Sequence, residues 1–199
     1  MRIEAGEVQS AAAAIAGFSG AIVTERLVLR PGTPEDADDL FAHYNDFDVV
    51  RWLARPDWPV SLPRLREFIA QAEAARTGGR MIYLALIARS LPVGAISWDI
   101  DRRGSHIGYW LGRTEWGKGY MSEAAAALCD FIFAASAETV IHSGVFEGNG
   151  ASLAIQKKLG FVETGRSVHY CAPRGTDLPH IDTKLTRTMR RIARTRGKT

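Results

Sequence analysis

The sequence predicts one domain of the α+β or mixed α/β class, and three observations lead to that class. The chain has 199 residues, of which 46% are hydrophobic and 24% charged, as expected for a globular domain with a buried core. It contains no apolar run of about eighteen residues, so we expect no membrane partner. Strand-like and helix-like segments alternate in the order β-α-α-β-β-β-α-β-α-β-β, which favours a sheet covered by helices.

The first half of the chain begins with one strand and two helices. Residues 26–30, RLVLR, alternate in polarity before a Pro-Gly pair, which is typical of a strand. Thr33, followed by a proline and acidic residues, is the pattern of a helix start, and this helix runs to Tyr44. Residues 46–60 form a turn-rich aromatic connection, and a second helix is predicted from Ser61 to about Thr77.

The second half holds six strands and two helices. The long apolar segment after Gly119 predicts a helix that ends near Ala135. Asn149 is a good helix N-cap, and Gly160 is a good helix end. The strand-like segments are residues 81–88, 93–100, 106–111, 139–146, 161–171 and 181–189.

The two ends of the chain differ from the middle. We expect residues 1–21 to be a loose N-terminal extension, 22–190 the folded domain, and 191–199 a frayed basic tail. The net charge is +3, but residues 183–199 hold seven of the 25 basic residues and no acidic one. The tail lacks interleaved aromatic residues, so it gives no strong signal for nucleic-acid binding.

Cysteine and histidine usage suggests a cytoplasmic protein without a metal. Cys129 and Cys171 lie in apolar segments and are expected to be reduced, buried thiols. The five histidines are scattered, and no set of residues has metal-ligand spacing, so no metal site is expected. Residues 11–23 are apolar, but Glu4 and Glu7 precede them, which disfavours a signal peptide.

Residues 112–124, GRTEWGKGYMSEA, raise the question of a phosphate site. The segment nearly matches a P-loop, but Gly119 stands where a Ser or Thr would bind magnesium. A loop before a helix N-terminus suits an anion, because backbone N–H groups there are free. Gly117 and Gly119 permit close approach, and Lys118 adds a positive charge. The alternative is a simple turn with two glycines.

Three segments together resemble the GNAT superfamily of acyl-CoA-dependent N-acyltransferases. They are TERLVLRPGTPEDADDLF at 24–41, IGYWLGRTEWGKGYMSEA at 107–124 and VFEGNGASLAIQKKLGF at 145–161. They are most similar to the branch of ribosomal-protein N-terminal acetyltransferases of the RimJ/RimL type. The resemblance implies a mostly antiparallel twisted sheet of about seven strands, with a V-shaped splay between the fourth and fifth. It also raises the expectation of a possible homodimer.

The resemblance further implies that acetyl-CoA binds without a metal. Its pantetheine arm would lie in the V, and the backbone of the loop would hold its pyrophosphate. The residues implied for the cofactor are Trp110, Leu111, Gly112, Trp116, Gly117, Lys118, Gly119, Tyr120, Met121, Asn149 and Ser152.

The implied reaction is direct acetyl transfer to a primary amine, either a protein N-terminal α-amine or a small-molecule amine. A backbone N–H of Leu111 or Gly112 would stabilise the oxyanion. His106 stands where the branch often has a glutamate and is the candidate base, with Asp99 and Asp101 as alternatives.

The leaving thiol would be assisted by Ser152. Many members of the superfamily carry a tyrosine seven residues after the motif asparagine, and here that position is Gln156. Two other functions remain open from the sequence: a non-catalytic acyl-CoA-binding protein, and a nucleotide-binding protein built on the near P-loop.

Overall fold

The computed structural model describes residues 5–101 and 103–196, which form an eight-stranded sheet in the order β1-β2-β3-β4-β5-β6-β8-β7. The strands are β1 Ile22–Val23, β2 Val28–Pro31, β3 Met81–Ala88, β4 Leu91–Asp101, β5 Gly104–Leu111, β6 Val140–Phe146, β7 Val162–Cys171 and β8 Thr176–Thr186. The helices are α1 Ala5–Ala16, α2 Ala37–Tyr44, α3 Phe47–Val50, α4 Leu62–Thr77, α5 Tyr120–Ala135, α6 Gly150–Leu159 and α7 Arg187–Arg196.

Neighbouring strands of this sheet are antiparallel except for β5 and β6, which are parallel. The predicted mixed α/β class and the mostly antiparallel sheet are therefore confirmed. The expected strand count of about seven becomes eight because the two-residue strand β1 pairs with β2.

Helices cover both faces of the sheet and create two cores. On one face, α1 and α5 pack with the strands, and Ile15, Leu128 and Ile132 are completely buried. On the other face, α2 and α4 bury Leu40 and Ile69. Each sheet face thus has its own helical layer, and the strands between them carry side chains to both.

The helix boundaries with strong capping signals were predicted well. The Ser61 hydroxyl accepts a hydrogen bond from the Arg64 N–H at the start of α4, at 3.5 Å. Asn149 Oδ1 accepts one from the Ser152 N–H at the start of α6, at 3.2 Å. Gly160 ends α6 with a φ of 100°, a conformation that glycine adopts without a steric penalty.

The expectation of a loose N-terminal extension is wrong for residues 5–16, which form α1. Ala11 and Ile15 are completely buried. The Ser10 hydroxyl accepts the Ala137 N–H at 2.9 Å, and the Thr139 hydroxyl donates to Glu7 at 2.8 Å. The alanine-rich sequence has only a weak amphipathic pattern, and the helix is stabilised by tertiary packing that periodicity does not report.

The expectation of a frayed basic tail is wrong for residues 191–196, which belong to helix α7. The helix also includes residues 187–189, which were predicted as the end of the last strand. Strand β8 stops at Thr186, so the predicted strand at 181–189 is too long at its C-terminal end. Arg187 donates to the carbonyls of Ser136 and Glu138 at 2.9 Å, and Arg190 Nε bonds Asp130 at 2.8 Å. Residues 197–199 of the predicted tail lie outside the described residues.

Candidate active site

The sheet opens where β5 and β6 separate. The two strands pair only at Ser105 with Ile141 and at His106 with His142. One further link follows, a hydrogen bond of 3.1 Å from the Ser143 hydroxyl to the Ile107 carbonyl. The predicted splay is confirmed, and it lies between the fifth and sixth strands because β1 adds one strand to the count.

A cavity of about 1360 Å³ occupies this gap and extends to both sheet faces. It brings together most of the residues that the sequence singled out. Those that line it are His106, Trp110, Leu111, Trp116, Gly117, Gly119, Tyr120, Met121, Asn149 and Ser152. The side chains of Tyr120 and Met121 are buried in the core, so their contribution to the cavity is mainly backbone.

Gly112 and Lys118 are not among the described residues that line the cavity. The Gly112 N–H already donates to the Val93 carbonyl at 2.9 Å, which leaves Leu111 as the remaining candidate of the pair for oxyanion stabilisation. A Cβ at Gly112 would lie 2.5 Å from the imidazole of His43, so glycine is needed there for packing. We expected Lys118 to add a positive charge to the site. Its ammonium group instead bonds the Glu115 carboxylate at 2.9 Å.

The loop before α5 has the geometry of an anion site. Gly117 and Gly119 have φ values of 75° and 80°, in the left-handed region that favours glycine. The loop leads into a helix of 16 residues, whose first N–H groups have no partner within the helix. Positive potential at this helix end therefore faces the cavity.

Arg26 braces this loop, which the sequence did not indicate. Its guanidinium donates to the Lys118 carbonyl at 2.8 Å and bonds Glu123 of α5 at 2.7 Å. It also lies 5.0 Å from the ring centroid of Tyr120. The strand predicted at 26–30 corresponds to β2, which begins two residues later at Val28, and only the tertiary structure brings Arg26 to the loop.

The backbone of β5 alternates between its two neighbours. The hydrogen bond from Gly112 to Val93 shows which residues of β5 bond β4, because the bonded residues alternate along an antiparallel pair. Gly108 and Trp110 therefore bond β4. The N–H and C=O groups of Tyr109 and Leu111 point toward the gap. The Leu111 carbonyl there accepts the indole N–H of Trp116 at 2.7 Å. The remaining groups are positioned to pair with an extended ligand.

One side of the gap, which we call the hydroxyl face, is formed by Tyr109, Ser143, Ser152, Gln156 and Thr183. The Tyr109 and Ser152 hydroxyls are 2.9 Å apart, across the gap. The Thr183 hydroxyl donates to Gln156 at 2.7 Å, and the Gln156 amide donates to Ser143 at 3.1 Å. Burial raises the pKa of Tyr109, with hydrogen bonds from its neighbours opposing the effect, so the phenol stays protonated.

The opposite side, which we call the histidine face, is formed by His106, His142, His169 and His180. All four line the cavity. His106 stacks on His142 with ring centroids 5.3 Å apart, and His169 meets His180 at 4.5 Å. Burial lowers the pKa of His106, His142 and His180, so each is neutral at pH 7.

The candidate base His106 is already engaged. Its Nε2 lies 2.9 Å from Asp101 Oδ1. Burial acts to raise the pKa of Asp101, but hydrogen bonding from Arg103 and the charge of its guanidinium outweigh it and lower that pKa, so Asp101 is a poor base. Burial raises the pKa of Asp99, which makes this carboxylate the stronger base of the two alternatives.

His180 was not singled out as a functional residue from the sequence. It lies on β8, and its Nδ1 is 2.9 Å from Asp182 Oδ1. Donor atoms of His169, His180 and Asp182 all lie within 4.8 Å of one another. The expectation of no metal site stays a prediction. Pairing of β7 with β8 creates this cluster, and spacing along the chain gives no sign of it.

In the part of the chain that the structure describes, no helix is long and apolar enough to cross a membrane. Cys129 and Cys171 are free and buried, as expected. The cytoplasmic location and the homodimer remain predictions.

Comparisons with known proteins agree with this geometry. Residues 26–162 match the family described as "Acetyltransferase (GNAT) domain". The Bacillus licheniformis protein named "Uncharacterized N-acetyltransferase p20" is 31% identical over 72% of this chain and 83% of its own length.

Two solved structures show the same fold. RimJ of Mycobacterium smegmatis, in complex with CoA-disulfide, superposes with a TM-score of 0.74 at 23% identity, over 81% of this chain and 82% of that one. The ribosomal-protein-S5-alanine acetyltransferase of Vibrio fischeri gives a TM-score of 0.74 at 21% identity, over 84% and 97%.

Proposed function

The chain belongs to the GNAT acetyltransferase family and is an acetyl-CoA-dependent N-acetyltransferase, and we propose that its acceptor is the α-amine of a peptide or protein N-terminus. The matched region spans residues 112–119, the near P-loop. The alternatives of a nucleotide-binding protein and a non-catalytic acyl-CoA-binding protein are therefore not retained.

The proposed position of acetyl-CoA follows from the loop and the gap. Its pyrophosphate lies against the N–H groups of residues 117–121, and its pantetheine arm pairs with the backbone of Tyr109 and Leu111. Asn149 Oδ1 caps α6, so its amide nitrogen is the atom left to contact the arm. The thioester sulfur then lies near Ser152, on the hydroxyl face. Each of these assignments is supported by the cavity lining and by the free backbone groups.

The observation that carries the choice of acceptor is the gathering of four of the five histidines on one face of the gap. A base with a pKa below about 6.5 removes a proton from an α-ammonium group, of pKa about 7.7–8.0, at a cost of roughly 2 kcal/mol. The same base would deprotonate a lysine, of pKa about 10.4, at a cost of roughly 5 kcal/mol. The site therefore suits an amine of low pKa.

Direct transfer needs no covalent enzyme intermediate. The neutral amine attacks the thioester carbonyl, and the N–H of Leu111 stabilises the oxyanion that develops. Binding both substrates in one gap supplies the orientation. A thiolate is a good leaving group, since even the ordinary thiol of cysteine has a pKa of about 8.5, so the Ser152 hydroxyl contributes modestly.

The test of the acceptor is a panel of peptides assayed for CoA release. One set has a free N-terminus and no lysine, and a matched set has a formylated N-terminus and one internal lysine. Free amino-acid amides form a third set, which detects a small-molecule acceptor. We expect acetylation of the first set and at least a 100-fold lower kcat/KM for the second. Equal use of the lysine peptides would contradict the proposal.

The two loop glycines test the cofactor site independently of the acceptor. Replacing either by alanine places a side chain in the left-handed region, which costs about 1–2 kcal/mol. A Cβ at Gly117 meets nothing within 4 Å, whereas one at Gly119 lies 3.2 Å from Arg26. We therefore expect Gly119→Ala to weaken acetyl-CoA binding about tenfold by calorimetry, and Gly117→Ala to weaken it less. Equal affinities in both variants and the wild type would contradict the proposed loop contact.

A further inference from the structure

We propose that His180, oriented by Asp182, is the general base that deprotonates the acceptor amine. This inference rests on the proposed acetyl transfer to an α-amine, and it concerns which residue of the histidine face carries out the step. His180 lies on β8, beyond the three resembling segments, at a position to which the sequence assigned no role.

The position of His180 is fixed by its contact with the gap. In the β6–β8 ladder, Gly144 is opposite Asp182 and Phe146 is opposite His180. A Cβ built at Gly144 would lie 2.9 Å from His180 Nε2 and closer still to its Cε1. The imidazole therefore covers Gly144, at the stretch of β6 that has separated from β5. The absence of a side chain at residue 144 makes room for this ring.

The hydrogen bond to Asp182 determines which nitrogen is free. Asp182 is an acceptor, so the His180 Nδ1 carries the proton that bonds it at 2.9 Å. The lone pair is then on Nε2, the nitrogen that faces the gap. The Ser167 hydroxyl donates to the same carboxylate oxygen at 2.9 Å and holds it in place. A carboxylate that orients an imidazole also stabilises the imidazolium formed when Nε2 takes a proton.

The groups around His180 keep it neutral without isolating it from water. Burial is the largest effect lowering its pKa; His169 on β7 and Arg103 in the β4–β5 turn lower it further, whereas Asp182 raises it. Phe146 on β6 contributes an aromatic edge, with its ring centroid 5.5 Å from the imidazole. The His180 side chain remains 18% exposed, so a proton that it accepts can leave to solvent.

His106 is less well placed for the same step. Its Nε2 bonds Asp101, which is shared with Arg103, and it lies at the last residue pair before the strands separate. The ring of His142 stacks on the imidazole of His106, with ring centroids 5.3 Å apart, and covers one of its faces. His180 instead lies over the open part of the gap, on the face opposite Ser152.

The proposed reaction begins with removal of a proton from the acceptor. The acceptor arrives as an ammonium ion, and His180 Nε2 takes one proton from it and releases that proton to water. The neutral nitrogen attacks the thioester carbonyl carbon, the C–N bond forms, and the C–S bond breaks with its electron pair on sulfur. The second proton leaves the nitrogen, and the sulfur gains one to give the CoA thiol. One acetamide, one thiol and one released proton result.

The test compares three glutamine variants with the wild type: His180→Gln, His106→Gln and His43→Gln. His43 lies on α2 outside the described cavity lining, so His43→Gln is the matched control. With the best peptide of the panel at pH 7, we expect His180→Gln to lower kcat/KM about 100-fold while its affinity for acetyl-CoA stays within twofold. The loss shrinks as the pH rises above the pKa of the acceptor amine, because the neutral amine is then abundant without a base.

Asp182→Asn tests the orienting role. We expect a smaller loss, about tenfold, and a change in the pH profile, because asparagine does not stabilise the imidazolium. A large loss in His106→Gln with none in His180→Gln would overturn the proposal. So would activity that EDTA abolishes and zinc restores, because that result would assign the cluster to a metal.

The protonation state of His180 is measured separately by ¹⁵N NMR of the imidazoles in the wild-type protein. We expect proton occupancy at Nδ1 and a free Nε2 that titrates below pH 6.5. The opposite tautomer would overturn the proposal even if no peptide of the panel is acetylated. A wild type that is inactive on every α-amine would refute the proposed acceptor class. The tautomer of His180 measured by NMR would still test whether its Nε2 is free to accept a proton.

Discussion

The two faces of the gap between β5 and β6 are built from different chemical groups. On the hydroxyl face, a chain of hydrogen bonds runs from Thr183 through Gln156 and Ser143 to the Ile107 carbonyl. On the histidine face, the imidazoles contact one another and two aspartates, and three of them have a lowered pKa. One face is a closed network of neutral groups, and the other is a set of groups that exchange protons.

This difference matches the unequal demands of acetyl transfer. A thiol of pKa about 8.5 needs little help to leave, so the face near the sulfur can be fixed and neutral. The amine arrives protonated and must lose its proton before it attacks, so the face that receives it needs a base. The sheet separates these two tasks because side chains alternate between its faces.

The largest expected effect comes from filling the space under His180. Gly144→Ala places a methyl group against the imidazole and 2.7 Å from the Ile181 carbonyl. We expect kcat/KM to fall at least 100-fold and stability to fall by about 1–3 kcal/mol, because the ring must move out of the gap. Gly165→Ala on β7 is the control, since a Cβ there meets nothing within 4 Å. Full activity in Gly144→Ala would show that the position of His180 is unimportant.

The next effect tests whether the hydroxyl face is mainly structural. Gln156→Leu leaves the Thr183 hydroxyl and Ser143 without their partner in a buried site. We expect the free energy of unfolding to fall by about 1–3 kcal/mol in urea titrations. Gln71→Leu is the control, because Gln71 is exposed and its side chain bonds the exposed Glu67. A Gln156→Leu variant of normal stability but abolished turnover would mean that this face takes part in the chemistry.

A smaller effect concerns the pair that crosses the gap. Ser152→Ala and Tyr109→Phe each remove one hydroxyl of the 2.9 Å contact. We expect each to lower kcat about three- to tenfold, and the double variant to be little worse than either single one, because the hydroxyls act as a pair. Strictly additive losses would mean that the two hydroxyls act independently.

The smallest effect is the response of stability to acid. The pKa of His106, His142 and His180 is lower in the folded protein than in the unfolded chain, so the unfolded chain binds more protons near pH 6. Stability is therefore fully present above about pH 6.5 and falls as the pH drops through the folded-state values. We expect His142→Gln to reduce this pH dependence of stability, because one of the groups with a lowered pKa is removed. An unchanged slope would contradict the assignment.

The sequence predicted the elements whose signals are local. Helices α4 and α6 have an N-cap side chain at Ser61 and Asn149, and the loop before α5 has glycines at the two positions with positive φ. Helix α1 was missed because its stability comes from packing on α5 and the sheet. The same limit applies to the site: Tyr109 meets Ser152, and Arg26 meets the loop, only through the tertiary fold.

His180 illustrates the limit most clearly. Its relation to Gly144 depends on the register of β8 against β6, and its neighbour His169 depends on β7 pairing with β8. Neither register can be read from the spacing of residues along the chain. The sequence placed the base on β5 because the family resemblance is strongest there.

The sheet is weakly connected where β5 meets β6, and we call this junction the seam. The β4–β5 ladder runs the full length from Gly94–Leu111 to Asp101–Gly104, whereas two residue pairs join β5 to β6. The sheet thus consists of two halves that are hydrogen-bonded to each other at one end. An extended ligand in the gap would pair with both halves, as an added strand does. We expect amides beside the seam to exchange with solvent faster than those of β3 and β4, and to slow when acetyl-CoA bridges the halves.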